Sequence, residues 1–580
     1  EALGAPPPCS HAMATATAKA AAKVAASGCG AALSEAAERT VPRFCVLGGG
    51  LPGLTSAFLL QRALPQARIL VVAGQAKGPR AWPQEANSSA SGFDRAAAVG
   101  SNPIWSVRGA GGQVLERGFQ SSVLVNKSGR EALGLCRLLG LDEEVLSANV
   151  EASARRFLFR RGRPRLFPGL LDSLFHLPAF LAEPIWSRLS GARDESVHAF
   201  VARRISTAAA DRIADPICRG QFAGDARRLS VRSCFPRLWF NERHFRSVFI
   251  GSALSTVSAY RRRSWLSLDL MDPLLQRVCA GGRSYSFRGG LGTLLDRLEV
   301  KLLEPPVGTR PVEIARGAES VATVLRGLAA GPQPASAAEV VLSSGRRFEA
   351  DAVIAAQPPW ELARLLEASD VDVPRSVARA EASGSFCGLL HSVAHNSVAV
   401  VNLSFSSAVL KGRYRGAGYF VASSEQQSIL AMSWDSLLFP DQNSLQCKER
   451  LTVYIDGPLC GESSRGEVEE AAMQAVRQHL GIQEEPTEVH TTFWHEAVPQ
   501  YAVGHHLMMR ELDLLRRRHL PWLQFAGPGY YGPRAAADEI VDARELADSL
   551  SRRFMRFPGL VENETEEDVA GRYGLGFDTE

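Results

Sequence analysis

The segment from Arg43 to Gly74 constrains this chain more than any other. FCVLGGG reads as a buried strand running into glycines, LTSAFLLQRAL as a helix, and ARILVVAG as a second buried strand. Such a β-α-β unit of about 30 residues calls for a parallel sheet covered by helices. Within it Gly48, Gly50 and Gly53 form G-x-G-x-x-G. The first glycine permits the tight turn. The second lets backbone N–H groups approach a pyrophosphate, and the third lets helix and strand pack closely. The helix N-terminus directs partial positive charge at the phosphates. Pro52 falls in the first turn, where its missing N–H is tolerated.

One part of this pattern is missing. A carboxylate at the end of the second strand normally holds the ribose hydroxyls. Here the strand ends Val71-Val72-Ala73-Gly74-Gln75, and no Asp or Glu lies between Glu38 and Glu85. Gln75 offers a single hydrogen bond in place of a charge-assisted pair worth about 1.5–3 kcal/mol.

The 580 residues are 46% hydrophobic and 22% charged, which excludes a chain disordered throughout. A net charge of +4 is too small for bulk nucleic-acid binding. The ten cysteines are scattered without a C-x-x-C, so neither a zinc ribbon nor a dithiol redox motif is signalled. No metal site is expected. His505-His506 lacks a third ligand at useful spacing and reads as a surface or structural pair. Trp434-Asp435-Ser436 has no G-x-S-x-G elbow to support a hydrolase.

No run of 18 apolar residues occurs, so no spanning helix is expected. The stretch Pro168 to Ile185 is interrupted by Asp172, His176, Pro178 and Glu183. Arg155, Arg156, Arg160, Arg161, Arg163 and Arg165 precede it. This cluster reads either as a solvated face or as a surface for anionic lipid and substrate carboxylates. Residues 1–42 are Ala-rich and read as a targeting peptide or a plain extension. Residues 76–104 read as a turn-rich loop, and the acids from Glu562 to Asp568 as a solvated tail.

Motifs along most of residues 43–550 resemble one family. They include FCVLGGGLPGL, WSVRGAGGQVLE, RRFLFRRGRPRLFP, ICRGQFAGDARRLSVRSCFPRLW, SFRGGLGTLLDRLE, VAVVNLSF, WDSLLFPDQ and VPQYAVGH. In this order they are similar to the oxygen-dependent, FAD-containing protoporphyrinogen oxidases of mitochondria. The block from Cys218 to Leu238 separates this family from other flavin amine oxidases.

The resemblance implies an α/β fold. A Rossmann-like FAD-binding domain would join an α+β substrate-binding domain and a mainly helical membrane-associating domain. The implied division is an extension at 1–42, FAD-binding parts at 43–150, 261–395 and 501–555, a helical domain at 151–260, a substrate-binding domain at 396–500 and a tail at 556–580. It implies oxidation of protoporphyrinogen IX in three two-electron steps, with oxygen reoxidising the flavin to give hydrogen peroxide. A homodimer on the mitochondrial inner membrane, or in the plastid, is implied, without nucleic acid. Gly48, Gly50 and Gly53 would hold the pyrophosphate. Arg288, Gly289 and Gly290 match a loop near the cofactor, Val312 a strand position contacting the adenine, and Ala526 and Gly527 the turn closing over the flavin. Arg156 matches an arginine facing a propionate, and Gly418 and Phe420 the segment packing on the tetrapyrrole.

The chain departs from the family pattern at several positions. Ala73 stands for the acidic ribose ligand, and the following Gly-Gly motif is replaced by residues 76–104. Ala417 stands for a Phe and Tyr454 for a Met, and the last turn reads Gly527-Pro528-Gly529-Tyr530-Tyr531-Gly532. Two alternatives therefore stay open: another flavin amine oxidase or desaturase, and a non-catalytic paralogue that binds tetrapyrrole or membrane.

Overall fold

The structure is a computed structural model. It describes residues 41–74, 104–119, 121–167, 193–252, 254, 272–282, 284–316, 322–327, 338–369, 385–457, 464–533 and 535–556. The Ala-rich extension, nearly all of the 76–104 loop, the apolar stretch from Pro168 to Ile185 and the acidic tail lie outside these residues.

The expected β-α-β unit forms β1 (Arg43–Leu47), α1 (Leu51–Ala63) and β2 (Arg68–Gly74). They belong to a five-stranded parallel sheet, ordered Glu313–Arg316, β2, β1, Ala352–Ala355 and Leu523–Phe525. Alternation along β1 explains why it sits at the centre. Phe44 and Val46 enter one core with α1, the Gly292–Leu303 helix and the Ala536–Arg556 helix. Cys45 and Leu47 enter the other, with the helices Pro359–Ala368 and His505–His519. A strand buried on both faces reads as a continuous apolar run. Each fully buried large side chain contributes about 1.5–3 kcal/mol.

A second, seven-stranded sheet runs Glu488–Pro499, His395–Phe405, Glu449–Asp456, Ile429–Ser433, Gly418–Val421, Arg156–Arg160 and Arg163–Phe167. One face carries Ala399, Val401, Leu403, Leu451, Val453 and Ile455 against the Arg465–Ala475 helix. The opposite face carries Val400, Asn402, Thr452 and Tyr454 by strand alternation.

Residues 151–260, read as helical from sequence, open on a short helix, Val150–Ala154, but continue with a hairpin that extends this sheet. Phe157 and Phe159 pack into its core beside Trp434, Tyr419 and His479, so tertiary packing fixes the strand. The helical part follows, with helices over Val197–Arg204, Asp215–Phe222 and Pro236–Phe245. RFEADAVIAA is likewise two strands, Arg347–Ala350 and Ala352–Ala355, in different sheets. The break falls at Asp351, whose Oδ2 accepts from the Arg43 N–H at 2.8 Å. The seven described cysteines are all free.

Candidate functional site

The glycine turn between β1 and α1 has the form its sequence demands. Gly48 has φ +117°, and its N–H donates to Val72 O at 2.9 Å. A Cβ on Gly53 would lie 2.1 Å from Gly48 O, so α1 meets the end of β1 closer than any side chain permits. Gly50 caps α1 with no side-chain hydrogen bond, and no acid lies in the first turn. The backbone donors and the positive dipole end thus face no competing carboxylate from this helix.

Ala526 and Gly527 fold onto the same place. Ala526 N–H donates to Ala355 O at 2.9 Å, and a Cβ on Gly527 would fall 2.9 Å from Pro52 Cγ. The turn is anchored beyond: Gly529 N–H donates to the Tyr501 hydroxyl, and the Tyr530 hydroxyl to Gln357 O, each at 2.9 Å. Tyr530 stacks on Phe525 with centroids 4.6 Å apart.

Arg288, Gly289 and Gly290 form the turn before the Gly292–Leu303 helix, which packs on α1. Gly290 has φ +85°, and a Cβ there would lie 2.5 Å from Ser106 Oγ and 2.7 Å from Glu116 Oε1. Glu116 organises the turn: Oε1 accepts from Leu291 N–H at 2.8 Å, and Oε2 accepts from Ser106 Oγ at 2.6 Å. Ser106 Oγ in turn accepts from Gly292 N–H at 2.8 Å. Burial pushes the Glu116 carboxyl up to about 8, against the downward pull of Ser106 and the Leu291 amide. The folded state therefore holds a proton that the unfolded state loses above its ordinary carboxylate pKa. This contribution to stability is complete at low pH and is lost as pH rises through about 8. Glu116→Gln should match the wild type in thermal stability near pH 5 and gain on it steadily toward pH 9. A Tm difference independent of pH would contradict the assignment.

Val312 lies just before an edge strand of the parallel sheet. The strand begins only at Glu313 and runs parallel to β2 with Glu313 opposite Leu70, so Val312 lies at its amino end. Ligands of such sheets bind outside the carboxyl ends. The Val312 N–H is also occupied, donating to Leu302 O at 3.0 Å. The carboxyl end of this strand is at Arg316.

Arg156, Gly418 and Phe420 come together on the second sheet. The Gly418–Val421 strand pairs in parallel with Arg156–Arg160, with Phe420 opposite Leu158. Gly418 has φ +132°, and a Cβ there would meet Met432 O at 2.1 Å. Phe420 is half-buried, its ring against Gly220 of the Asp215–Phe222 helix, where a Cβ would fall 2.0 Å from Cδ1. Arg156 is exposed at the start of its strand, whereas Arg155 pairs with Glu151 at 2.9 Å. Tyr454 packs with Val400 and Trp494 on the Phe420 side of the sheet.

Sequence reading missed a buried polar layer between the seven-stranded sheet and the Val114–Glu116 strand. Asn402 Nδ2 donates to Glu116 O at 2.9 Å and to Thr452 Oγ1 at 2.8 Å, and Thr452 Oγ1 donates to Asp435 Oδ2 at 2.5 Å. Arg450 reaches Val114 O at 2.6 Å, Phe439 O at 2.8 Å and Asn443 Oδ1 at 2.8 Å. The only signal was polar residues alternating with apolar ones along LTVYID and VVNLSF, which does not name partners. Asp435 thus serves packing, and the Ser436 hydroxyl donates to Asn443 Oδ1, so no hydrolytic triad exists there. His505 and His506 are both buried rather than on the surface, with His506 Nδ1 3.4 Å from Asp194 Oδ2. No metal-binding cluster occurs among the described residues.

A parallel sheet with a glycine turn at a helix N-terminus, closed by a C-terminal turn and set against a separate mixed sheet, defines a dinucleotide-dependent oxidoreductase fold. Cyclohexylamine oxidase of Brevibacterium oxydans IH-35A has this fold, with a TM-score of 0.57 at 14% identity, covering 89% of this chain and 100% of that one. Residues 103–530 match the model of the flavin containing amine oxidoreductases, and the chain belongs to that family. It is 30% identical over 522 residues to protoporphyrinogen oxidase of Macaca fascicularis, covering 87% of this chain and 97% of the relative. It is 23% identical over 532 residues to coproporphyrinogen III oxidase of Bacillus subtilis, covering 88% and 98%.

The cofactor is FAD. The α1 N-terminus, with no side-chain cap and no acid in its first turn, fits its pyrophosphate, and the close α1–β1 junction at Gly53 holds that N-terminus in place. At the end of β2, Ala73 and Gly74 stand where a carboxylate normally holds the ribose.

Proposed function

We propose that this chain oxidises protoporphyrinogen IX to protoporphyrin IX, a late step of haem biosynthesis. The observation that carries this reading is the 97% coverage of a protoporphyrinogen oxidase at 30% identity. Bound FAD supplies the two-electron oxidation. The substrate loses six electrons and six protons in three steps, and three oxygen molecules leave as three hydrogen peroxides.

The protein's part is to bind, orient and exclude water. Gly48, Gly50 and Gly53 offer backbone donors to the pyrophosphate, with Ala526 and Gly527 closing above. The sheet face carrying Gly418, Phe420 and Tyr454 supplies one wall, with the Asp215–Phe222 helix against Phe420 at its side. Arg156 supplies a planar cation for a propionate. The protein acts at a membrane surface, peripherally on the mitochondrial inner membrane, and as a homodimer. No described helix is long and apolar enough to cross a membrane.

The test is aerobic turnover of protoporphyrinogen IX followed by porphyrin fluorescence, beside the flavin spectrum of the purified protein. Flavin without oxidation would refute the reading. Arg156→Ala should cost roughly 1.5–3 kcal/mol, or about 10- to 150-fold in kcat/KM, with flavin content unchanged. Arg155→Ala should be milder, since that side chain is committed to Glu151. Equal losses at both positions would point to a diffuse basic surface.

A further inference from the structure

The hairpin that ends the second sheet carries more cations on the Phe420 face than a single propionate contact needs. In an antiparallel pair, directly opposed residues share a face, and alternate residues along each strand return to it. Arg156 opposes Phe167, Leu158 opposes Arg165, and Arg160 opposes Arg163. Arg156, Arg160, Arg163 and Arg165 therefore lie on one face. Leu158 also opposes Phe420 in the neighbouring strand, so that face is continuous with the proposed substrate wall. The reverse face holds Phe157, Phe159 and Pro164, and the two phenylalanines pack into the sheet's core. Packing thus commits the four arginines to the substrate side.

Arg163 and Arg165 are exposed and form no ion pair among the described residues. Arg160 Nη2 donates to Arg212 O at 2.7 Å, so the helical region bounds the stripe at that end. Arg156 and Arg160 stand ~13 Å apart along their strand at 3.3 Å per residue. Arg165 sits diagonal to Arg156 across the pair, about 7–8 Å away. Planar forks at these separations suit carboxylates on more than one edge of a flat molecule.

We infer that Arg163 and Arg165 determine specificity as a second carboxylate-binding margin, so that the slot accepts tetrapyrroles bearing four propionates as well as those bearing two. This rests on the tetrapyrrole reading above and adds a substrate class to it. A macrocycle lying on the Gly418–Phe420 strand would set one propionate edge against Arg156. Its further carboxylates would extend over the hairpin toward Arg165 and Arg163.

The experiment compares wild type, Arg163→Gln/Arg165→Gln and Arg163→Lys/Arg165→Lys. Flavin absorbance and Tm check that each is folded and loaded. Two measurements are made: the ratio of kcat/KM for coproporphyrinogen III to that for protoporphyrinogen IX, and the ratio of Kd values for coproporphyrin III and protoporphyrin IX, read by fluorescence. The Gln variant should shift both ratios at least tenfold against the four-propionate ligand, and the Lys variant should restore part of the shift. Unchanged ratios would overturn the inference. If the Gln variant keeps both ratios but no longer sediments with phosphatidylserine vesicles, the stripe is a lipid contact instead. If wild type oxidises neither tetrapyrrole, the proposed function fails, and the Kd ratios still decide the binding margin by the same tenfold criterion.

Discussion

Gly53→Ala should release the flavin. The added methyl would sit 2.1 Å from Gly48 O and 3.2 Å from Val46 Cγ1, against backbone that cannot rotate away. Relief requires α1 to move off the end of β1, and the phosphate site is built from that junction. Overpacking costs about 1–3 kcal/mol, and misplacing the helix N-terminus weakens the anion contact as well. A combined loss of roughly 2–3 kcal/mol corresponds to about a 30- to 150-fold rise in Kd for FAD. Flavin absorbance after dialysis and titration of the apoprotein measure it. Gly134→Ala is the control: a Cβ there meets nothing within 4 Å, inside the Lys127–Leu138 helix. That change should keep the flavin and add about 0.5–1 kcal/mol of stability. Wild-type retention in Gly53→Ala would refute the placement of the pyrophosphate.

Arg450→Met should be the most destabilising of the side-chain replacements considered. Arg450 is 2% exposed, and burial pulls its guanidinium below the ordinary arginine range. It keeps its charge by donating to Val114 O, Phe439 O, Asn443 Oδ1 and Gln442 Oε1. Methionine fills similar volume but leaves these acceptors unpaired, and Asp435 loses a nearby cation. Breaking one partner of such a buried set costs about 3–5 kcal/mol. Val114 belongs to the strand ending in Glu116, so the Glu116 turn should loosen too. A lowered urea midpoint, with flavin lost before global unfolding, is the expected result. A midpoint within 0.5 kcal/mol of wild type, a bound typical of ordinary surface substitutions, would show the layer to be dispensable.

The outcome at individual residues shows how far the sequence reached. Gly48, Gly50 and Gly53 were legible because strand, turn and helix are local and each glycine answers a steric demand within a few residues. The long helix after the last turn was legible through its periodicity, and forms over Ala536–Arg556. The Arg156–Phe167 hairpin was read as the opening of a helical region, because its pairing partner Gly418–Val421 lies more than 250 residues away.

By itself, the sequence determined the class: a β-α-β unit that only a parallel sheet satisfies, and a set of ordered motifs that only one family carries. Tertiary structure decided the rest. It set Arg450, Asp435, Thr452, Asn402 and Glu116 into one buried layer, from segments as far apart as Val114–Glu116 and Glu449–Asp456. It also turned four arginines to a single side of a hairpin. Burial and pairing across hundreds of residues set which face a side chain takes and what charge it holds, and neither is encoded within the reach of a local motif.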